Sequence, residues 1–345
     1  MTRDGKVGVC VIGVGRAGMI HARNFTNRIS RARLAGIVDP YQPTLDAARR
    51  ELERDDGYTD YRQALADPGV DAVVVVTPTA LHRQVVLDAA AAGKHVLCEK
   101  PMAMDVAECD AMIDACAAAK VKLQLAFMRR FDESYQAAKQ RIDAGEIGDV
   151  VLVKSLTHGP SVPQEWMYDI RKSNGPLAEV NSHDIDSVRW FVGSEIDEVY
   201  ALGGNFRCPQ AREKYPDFYD NVAMLCRFKD GKQGFIDGAV SVGYGYDARM
   251  EIIGTKGALF VGRREQDTVV GCSSDAGIRQ TFVKTWRTLF SEAYRAEDQD
   301  FVDAILVDRE PLVRGIDGRM AVAVVNAGNL SIVKHTPVCV EGRRA

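Results

Sequence analysis

Little in this chain favours a membrane, a nucleic acid or a metal. Its longest apolar stretch near a strand, Ala72 to Val76, falls far short of the ~20 residues that a bilayer-spanning helix needs. Basic charge is not in surplus: 44 Lys and Arg stand against 48 Asp and Glu, a formal net charge of -4. No Lys/Arg run gathers cations into the patch that nucleic-acid phosphates or an anionic surface would demand. The eight cysteines, Cys10, Cys98, Cys109, Cys116, Cys208, Cys226, Cys272 and Cys339, are scattered without a C-x-x-C pair. The six histidines show no metal-ligand spacing, so neither a disulfide framework nor a bound metal is expected. The opening residues, Met-Thr-Arg-Asp-Gly-Lys, lead into a strand-like run without the apolar core of a secretory signal, and a cytoplasmic protein is expected. Tryptophan is scarce, and Trp166, Trp190 and Trp286 are expected as core or interface anchors.

What is present is the make-up of a globular chain, 46% hydrophobic and 27% charged. At 345 residues it exceeds the roughly 100–200 of one ordinary domain, so two are expected. In the first, Val7 to Ile12, Ala32 to Val38, Ala72 to Val76, His95 to Cys98 and Leu123 to Phe127 read as buried strands. Helical stretches at Ala17 to Phe25, Thr44 to Arg54, Ala80 to Ala92 and Asp105 to Ala119 separate them. Continuous Val/Ile/Leu strands alternating with helices predict a doubly wound parallel sheet over residues 1–127, with ligands at the strands' carboxyl ends.

Residues 128–345 read as an α+β domain built on a large, mostly antiparallel open sheet. A polar helix at Asp132 to Ala144 opens it. Strands follow at Val150 to Thr157, Glu198 to Gly203, Val222 to Phe228, Gly234 to Val242, Arg249 to Ile253 and Ala258 to Val261. One helix, Ala178 to Phe191, is expected among them. Two more, Ala293 to Leu306 and Arg319 to Val333, close the chain, and the final helices are allowed to pack back on the first domain.

The sharpest local signal is Gly13-Val-Gly15-Arg16-Ala17-Gly18, placed directly after a strand and opening a helix. Gly13 permits the tight turn, Gly15 lets main chain approach a pyrophosphate, and Gly18 allows close helix–strand packing. The N–H groups of Arg16, Ala17 and Gly18 then open an anion-binding helix start. Asp39 ends the next strand, where a carboxylate holds ribose hydroxyls and repels a 2′-phosphate. NAD is expected over NADP, although the Arg16 cation softens that preference.

Two further motifs, Thr77-Pro78-Thr-Ala-Leu-His82 and Glu99-Lys100-Pro101, complete a pattern with the glycine loop. With Ser182-His183-Asp184-Ile-Asp186 and Gly315-Ile-Asp317-Gly318-Arg319, the chain resembles the Gfo/Idh/MocA family of nicotinamide-dependent sugar and cyclitol dehydrogenases over nearly its whole length. Within it the segments Phe127-Met-Arg129-Arg130-Phe-Asp132 and Tyr244-Gly-Tyr246-Asp247 are similar to those of inositol 2-dehydrogenases.

The resemblance implies oxidation of a ring secondary hydroxyl to a ketone, with myo-inositol as first candidate. It implies that Thr77, Pro78, His82 and Glu99 line the cofactor, and that Lys100 contacts the reacting hydroxyl and the cofactor ribose. A cis peptide before Pro101 fits the family. His183 takes the acid–base role and Glu179, four residues earlier, orients it, since residues so spaced on one helix share a face. Arg129, His158 and either Tyr244 or Tyr246 are implied as pocket groups for the polyol. Asp184 and Asp186 are expected as capping or interdomain contacts. The family's open sheet implies a homo-oligomer, dimer or tetramer.

The chain departs from the inositol enzymes at Glu179, where they usually carry Asp, and has fewer glycines in Ser173-Asn174-Gly175-Pro176. Both differences bear on the substrate, so oxidation at C1 or C3 of a glucose-like sugar or glycoside stays open as an alternative. So does a non-catalytic NAD-sensing regulator.

Overall fold

The computed structural model describes residues 5–275 and 277–342, which divide into two compact units. The first contains residues up to Phe131 together with Ser291–Val322. The second contains Asp132–Phe290 together with the residues from Ala323 onward.

The first unit opens with β1 (Val7–Ile12), α1 (Gly18–Asn27), β2 (Ala32–Val38), α2 (Gln42–Glu51) and α3 (Tyr61–Ala66). It continues with β3 (Ala72–Val75), α4 (Thr79–Ala91), β4 (His95–Cys98), α5 (Val106–Ala119) and β5 (Leu123–Leu125). The five strands form one sheet in the order β2-β1-β3-β4-β5, and every neighbouring pair is parallel. Every residue of β1 and β3 is buried, as expected of strands covered on both faces. The order reverses between β1 and β3, which sets the ligand-binding crevice of such a sheet at the carboxyl ends of those strands. Helix α3 was not expected; it is a single short element whose Asp60 carboxylate caps it by accepting from the Arg62 N–H at 2.9 Å.

The second unit begins with α6 (Glu133–Asp143) and β6 (Val150–Gly159), then four helices, α7 (Glu165–Tyr168), α8 (Ile170–Ser173), α9 (Gly175–Glu179) and α10 (Ser182–Val192). Strands β7 (Ile196–Gly204), β8 (Asn221–Phe228), β9 (Gln233–Val240), β10 (Asp247–Gly254) and β11 (Ala258–Val261) follow. A hairpin of β12 (Glu265–Ser273) and β13 (Gly277–Phe282) comes next, then α11 (Trp286–Leu289). Helix α12 (Ser291–Leu306) belongs to the first unit, α13 (Gly315–Lys334) contains the boundary, and β14 (Val338–Cys339) is the last element among the described residues.

The large sheet has seven strands in the order β11-β10-β6-β9-β8-β7-β14, antiparallel throughout except for the β6–β9 pair. Helices α9 and α10 pack on one face of it. The single helix expected over Ala178 to Phe191 is in fact two. It breaks at Val180 and Asn181, where the Asn181 side chain turns to donate to Asp184 Oδ2 at 2.9 Å. Asparagine prefers such local bonds to a helix interior. The β12–β13 hairpin was not foreseen because nearly all its side chains are exposed, and without a buried face no alternation marks it.

The Gly315…Arg319 motif has a packing reason. A Cβ on Gly318 would stand 2.6 Å from Leu125 Cγ, and Asp317 accepts from Arg130 and from the Arg314 N–H, each at 2.9 Å. Among the described residues no helix is long and apolar enough to cross a membrane, and no group of His, Cys, Asp or Glu is arranged to hold a metal.

Candidate active site

Five connections leave the carboxyl edge of the parallel sheet, and each carries a residue singled out above. The first is the turn from β1 into α1. Gly13 has φ +94°, and a Cβ there would meet the Val76 carbonyl oxygen at 2.5 Å. A Cβ on Gly18 would stand 1.8 Å from the Gly13 oxygen, so only glycine lets the helix approach the strand. Gly15 differs: an added Cβ there meets nothing within 4 Å. Its lack of a side chain keeps space open at the start of a helix that no side chain caps and whose first turn holds no acid. Those N–H groups are suited to a pyrophosphate. Arg16 is exposed and Ala17 half-buried beside them.

Asp39, at the end of β2, accepts from the Val14 N–H at 3.2 Å on one oxygen and from the Tyr41 N–H at 3.0 Å on the other. It is thus fixed against the glycine turn while each carboxylate oxygen keeps acceptor capacity for a hydroxyl. These features fit the adenosine half of NAD.

The third loop follows β3. Thr77 Oγ1 is buried and makes no hydrogen bond among the described residues, while exposed Pro78 precedes α4. His82, one turn into α4, is 1% exposed. Its Nε2 lies 2.7 Å from the Thr77 carbonyl and its Nδ1 3.0 Å from that of Pro101. Burial pushes the ring below its ordinary pKa against the pull of these carbonyls, and its two contacts link the third loop to the fourth.

The fourth loop is Glu99-Lys100-Pro101 after β4, with a cis Lys100–Pro101 peptide. Glu99 is 5% exposed, and its Oε2 accepts from the Lys100 N–H at 3.0 Å. Its Oε1 lies 3.4 Å from Nε2 of His21, on α1. Burial works to raise the Glu99 pKa, but the His21 ring and Lys100 together hold it below the usual carboxylate range. Sequence reasoning missed His21, whose other nitrogen is 2.6 Å from Asp298 Oδ1 on α12. A histidine facing the strand side of α1 was the available signal.

Arg129 closes the first unit in a 3₁₀ turn, Met128–Phe131. It is fully buried, which removes the ordinary alternative of a solvated cation.

In the second unit, His183 lies in the first turn of α10 and is 7% exposed. Its neighbour Asp184 is fully buried and accepts from Ser155 Oγ at 2.5 Å and Thr157 Oγ1 at 3.0 Å, both on β6, besides Asn181. Asp184 therefore pins the start of α10, and with it His183, to the sheet. Glu179 ends α9, so its four-residue spacing from His183 is not a turn of one continuous helix.

Because side chains alternate along a strand, His158 points to the face of β6 opposite Ser155 and Thr157. There its Nδ1 and the Tyr244 hydroxyl are hydrogen-bonded, and its Nε2 is 3.1 Å from Asp237 Oδ1, near enough to pair charge but outside hydrogen-bond geometry. His158 and Tyr244 are thus brought together, away from the face on which Asp184 meets β6. Tyr244 is half-exposed, whereas Tyr246 is buried, its ring 6.4 Å from that of Phe290 and its N–H donating to the Val283 carbonyl at 2.7 Å.

An oxidoreductase family with an NAD-binding Rossmann fold, Gfo/Idh/MocA, matches residues 7–127, and the C-terminal domain of the same family matches residues 135–260. The chain is 33% identical over 342 residues to scyllo-inositol 2-dehydrogenase (NAD(+)) of Bacillus subtilis, covering 99% of this chain and 98% of that protein. To Myo-inositol 2-dehydrogenase of Thermotoga maritima it is 32% identical over 331 residues, 96% of this chain and 98% of that one. The structure of scyllo-inositol dehydrogenase from Lactobacillus casei with bound NAD(H) and scyllo-inositol is similar at TM-score 0.88 and 30% identity, covering 97% of this chain and 99% of that chain. This chain belongs to the Gfo/Idh/MocA oxidoreductase family.

Proposed function

We propose that the chain is an NAD-dependent dehydrogenase that oxidises a ring secondary hydroxyl of a cyclitol to a ketone, with myo-inositol as the first candidate substrate and scyllo-inositol beside it. The observation that carries this reading is the gathering of the glycine turn, Asp39 and Glu99-Lys100-Pro101 on one carboxyl edge of the parallel sheet. The full-length likeness to dehydrogenases of two inositol isomers supports the substrate class.

NAD, when bound, supplies the hydride acceptor at its nicotinamide ring. The α1 start holds the pyrophosphate, Asp39 the adenosine ribose, and the Thr77–His82 loop the approach to Lys100. Lys100 places its ammonium by the reacting oxygen and stabilises the negative charge that grows there as the proton leaves. His183 accepts that proton, and Glu179, across the break between α9 and α10, is the carboxylate proposed to orient the ring. Arg129 binds a further hydroxyl; His158 and Tyr244 bind one only if the substrate reaches their face of β6.

The second sheet leaves a face for a second copy. Strand register sets Tyr200, Leu225, Phe235, Lys154, Glu251 and Phe260 in one row across β7 to β11, with Leu225 57% and Phe260 79% exposed. Apolar surface of this kind is costly in water, and the Lys154–Glu251 pair within the row offers both signs of charge to an identical face. The homo-oligomer so proposed is tested by light scattering, where a monomer contradicts it. All eight cysteines are free thiols, which suits a reducing cytoplasm.

The activity test is NADH formation on a panel of inositol isomers and glucose-like sugars. Preference for an inositol isomer supports the reading. Turnover of a glucose-like sugar alone replaces the substrate, which Glu179 in place of Asp makes the rival to watch. Tight NAD binding without turnover of any polyol points to a nucleotide sensor instead.

A further inference from the structure

A buried ionic chain lies behind Lys100, entirely within the first unit, and the reaction proposed above does not use it. His21 is 0% exposed and has a carboxylate at each ring nitrogen, Asp298 at 2.6 Å and Glu99 at 3.4 Å. A carboxylate only accepts, so both contacts are satisfied only when both nitrogens carry hydrogen. The ring is then an imidazolium between two anions. Burial alone would drive the His21 pKa down; Asp298 first and Glu99 second raise it well above its ordinary value.

The chain is anchored at its far end, where Asn24 Nδ2 donates to the second Asp298 oxygen at 2.8 Å, and the Tyr294 ring packs edge-on to His21 at 5.5 Å. At its near end, the second Glu99 oxygen receives the Lys100 N–H. Beside it Glu297 is also 0% exposed, and neither of its carboxyl oxygens finds a hydrogen bond among the described residues. Burial, with the nearby Glu99 carboxylate second, pushes its pKa well up.

We propose that His21 is a positioning residue: held by Asp298, it fixes Glu99, and Glu99 fixes the main chain of Lys100, so that the ammonium is aimed before substrate arrives. The proposal rests on the catalytic role given to Lys100 above. The geometry has the features such a device needs, since Asn24, Asp298, His21 and Glu99 are all buried and each carboxylate is held on both oxygens. A surface ion pair would not serve, because solvent screening and side-chain entropy would leave it loose.

The test uses the full chain with NAD bound and two readouts: amide hydrogen exchange at Lys100, which needs no substrate, and steady-state kinetics on whichever polyol is turned over. In His21→Gln, exchange at Lys100 rises and kcat falls about tenfold to hundredfold, the scale of an ångström-level misplacement, while substrate KM stays within about twofold. The double variant His21→Gln/Asp298→Asn removes one charge of each sign and so recovers thermal stability, yet its Lys100 exchange stays fast and its kcat stays low. Leu45→Ala, a cavity in the same unit's core with no bond to the chain, lowers stability without changing either readout. Normal exchange at Lys100 in His21→Gln overturns the proposal, as does a double variant that regains wild-type kcat along with its stability. Should the wild type turn over no polyol, the dehydrogenase reading fails, while exchange at Lys100 still decides whether His21 holds that main chain.

Discussion

The two units carry different kinds of candidate group. In the first, the candidate groups are largely main chain: an uncapped helix start, a turn closed by Gly13 and Gly18, and a Lys100 N–H locked on Glu99. In the second, the candidate group is a side chain: His183 on α10, whose neighbour Asp184 is held by two hydroxyls of β6. A main-chain site fails sterically, when an atom is added. A side-chain site fails chemically, when a group is removed or its support is loosened. Substitutions in each unit should therefore leave distinct signatures.

The largest effect is expected in the second unit. His183→Gln keeps a polar group of similar reach but no base, and kcat should fall by about 10²–10⁴-fold, the usual contribution of general base catalysis. NAD affinity, measured by titration of bound NADH fluorescence, should be unchanged. Next comes a pair of glycines in the first. Gly18→Ala drives a Cβ to 1.8 Å from the Gly13 oxygen, so both melting temperature and NAD affinity should fall. Gly15→Ala meets only open space, so the apo protein should melt as the wild type does while NAD affinity still drops. Equal melting losses in both would show that Gly15 is structural.

A smaller effect is expected at Asp184→Asn, which puts an amide donor among the donors of Ser155, Thr157 and Asn181. The mismatch should cost about 1–3 kcal/mol in chemical denaturation, with a partial loss of kcat as His183 shifts. Full stability would mean that the Asp184 bonds hold nothing.

The smallest effect concerns two buried histidines of the first unit that titrate in opposite directions. His82 is lowered by burial, which its carbonyl contacts only partly offset; His21 is buried too, but its two carboxylates raise it. A raised histidine stabilises the fold fully below its unfolded value near 6.5 and loses that contribution as pH climbs through the folded value. The stability lost on His21→Gln should accordingly be greatest below pH 6.5 and shrink on the alkaline side. A loss independent of pH would mean that the ring is neutral.

The same contrast explains what the sequence reveals. The parallel strands are legible because burial on both faces leaves unbroken Val and Ile runs, and the glycine turn because its steric demands fall within six residues, Gly13 to Gly18. Glu99-Lys100-Pro101 is equally local. The His21 chain is not, because its partners stand 78 and 277 residues away. The break between Glu179 and His183 was hidden because helical composition continues across it, and only Asn181 hints at the turn. The side of β6 that His158 faces follows from counting along the strand from Thr157, but only once it is known which face meets Asp184. The β12–β13 hairpin, exposed nearly throughout, left no periodic trace.

The most direct test of the whole account is a single-turnover measurement of NADH formation from the preferred inositol isomer by wild type and Lys100→Met, each saturated with NAD. The account predicts a rapid burst from wild type and, from the variant, NAD binding within a few-fold of normal with a rate lower by about 10²–10³-fold, the usual loss when one charge-stabilising donor is removed. A variant that forms NADH at the wild-type rate would contradict it.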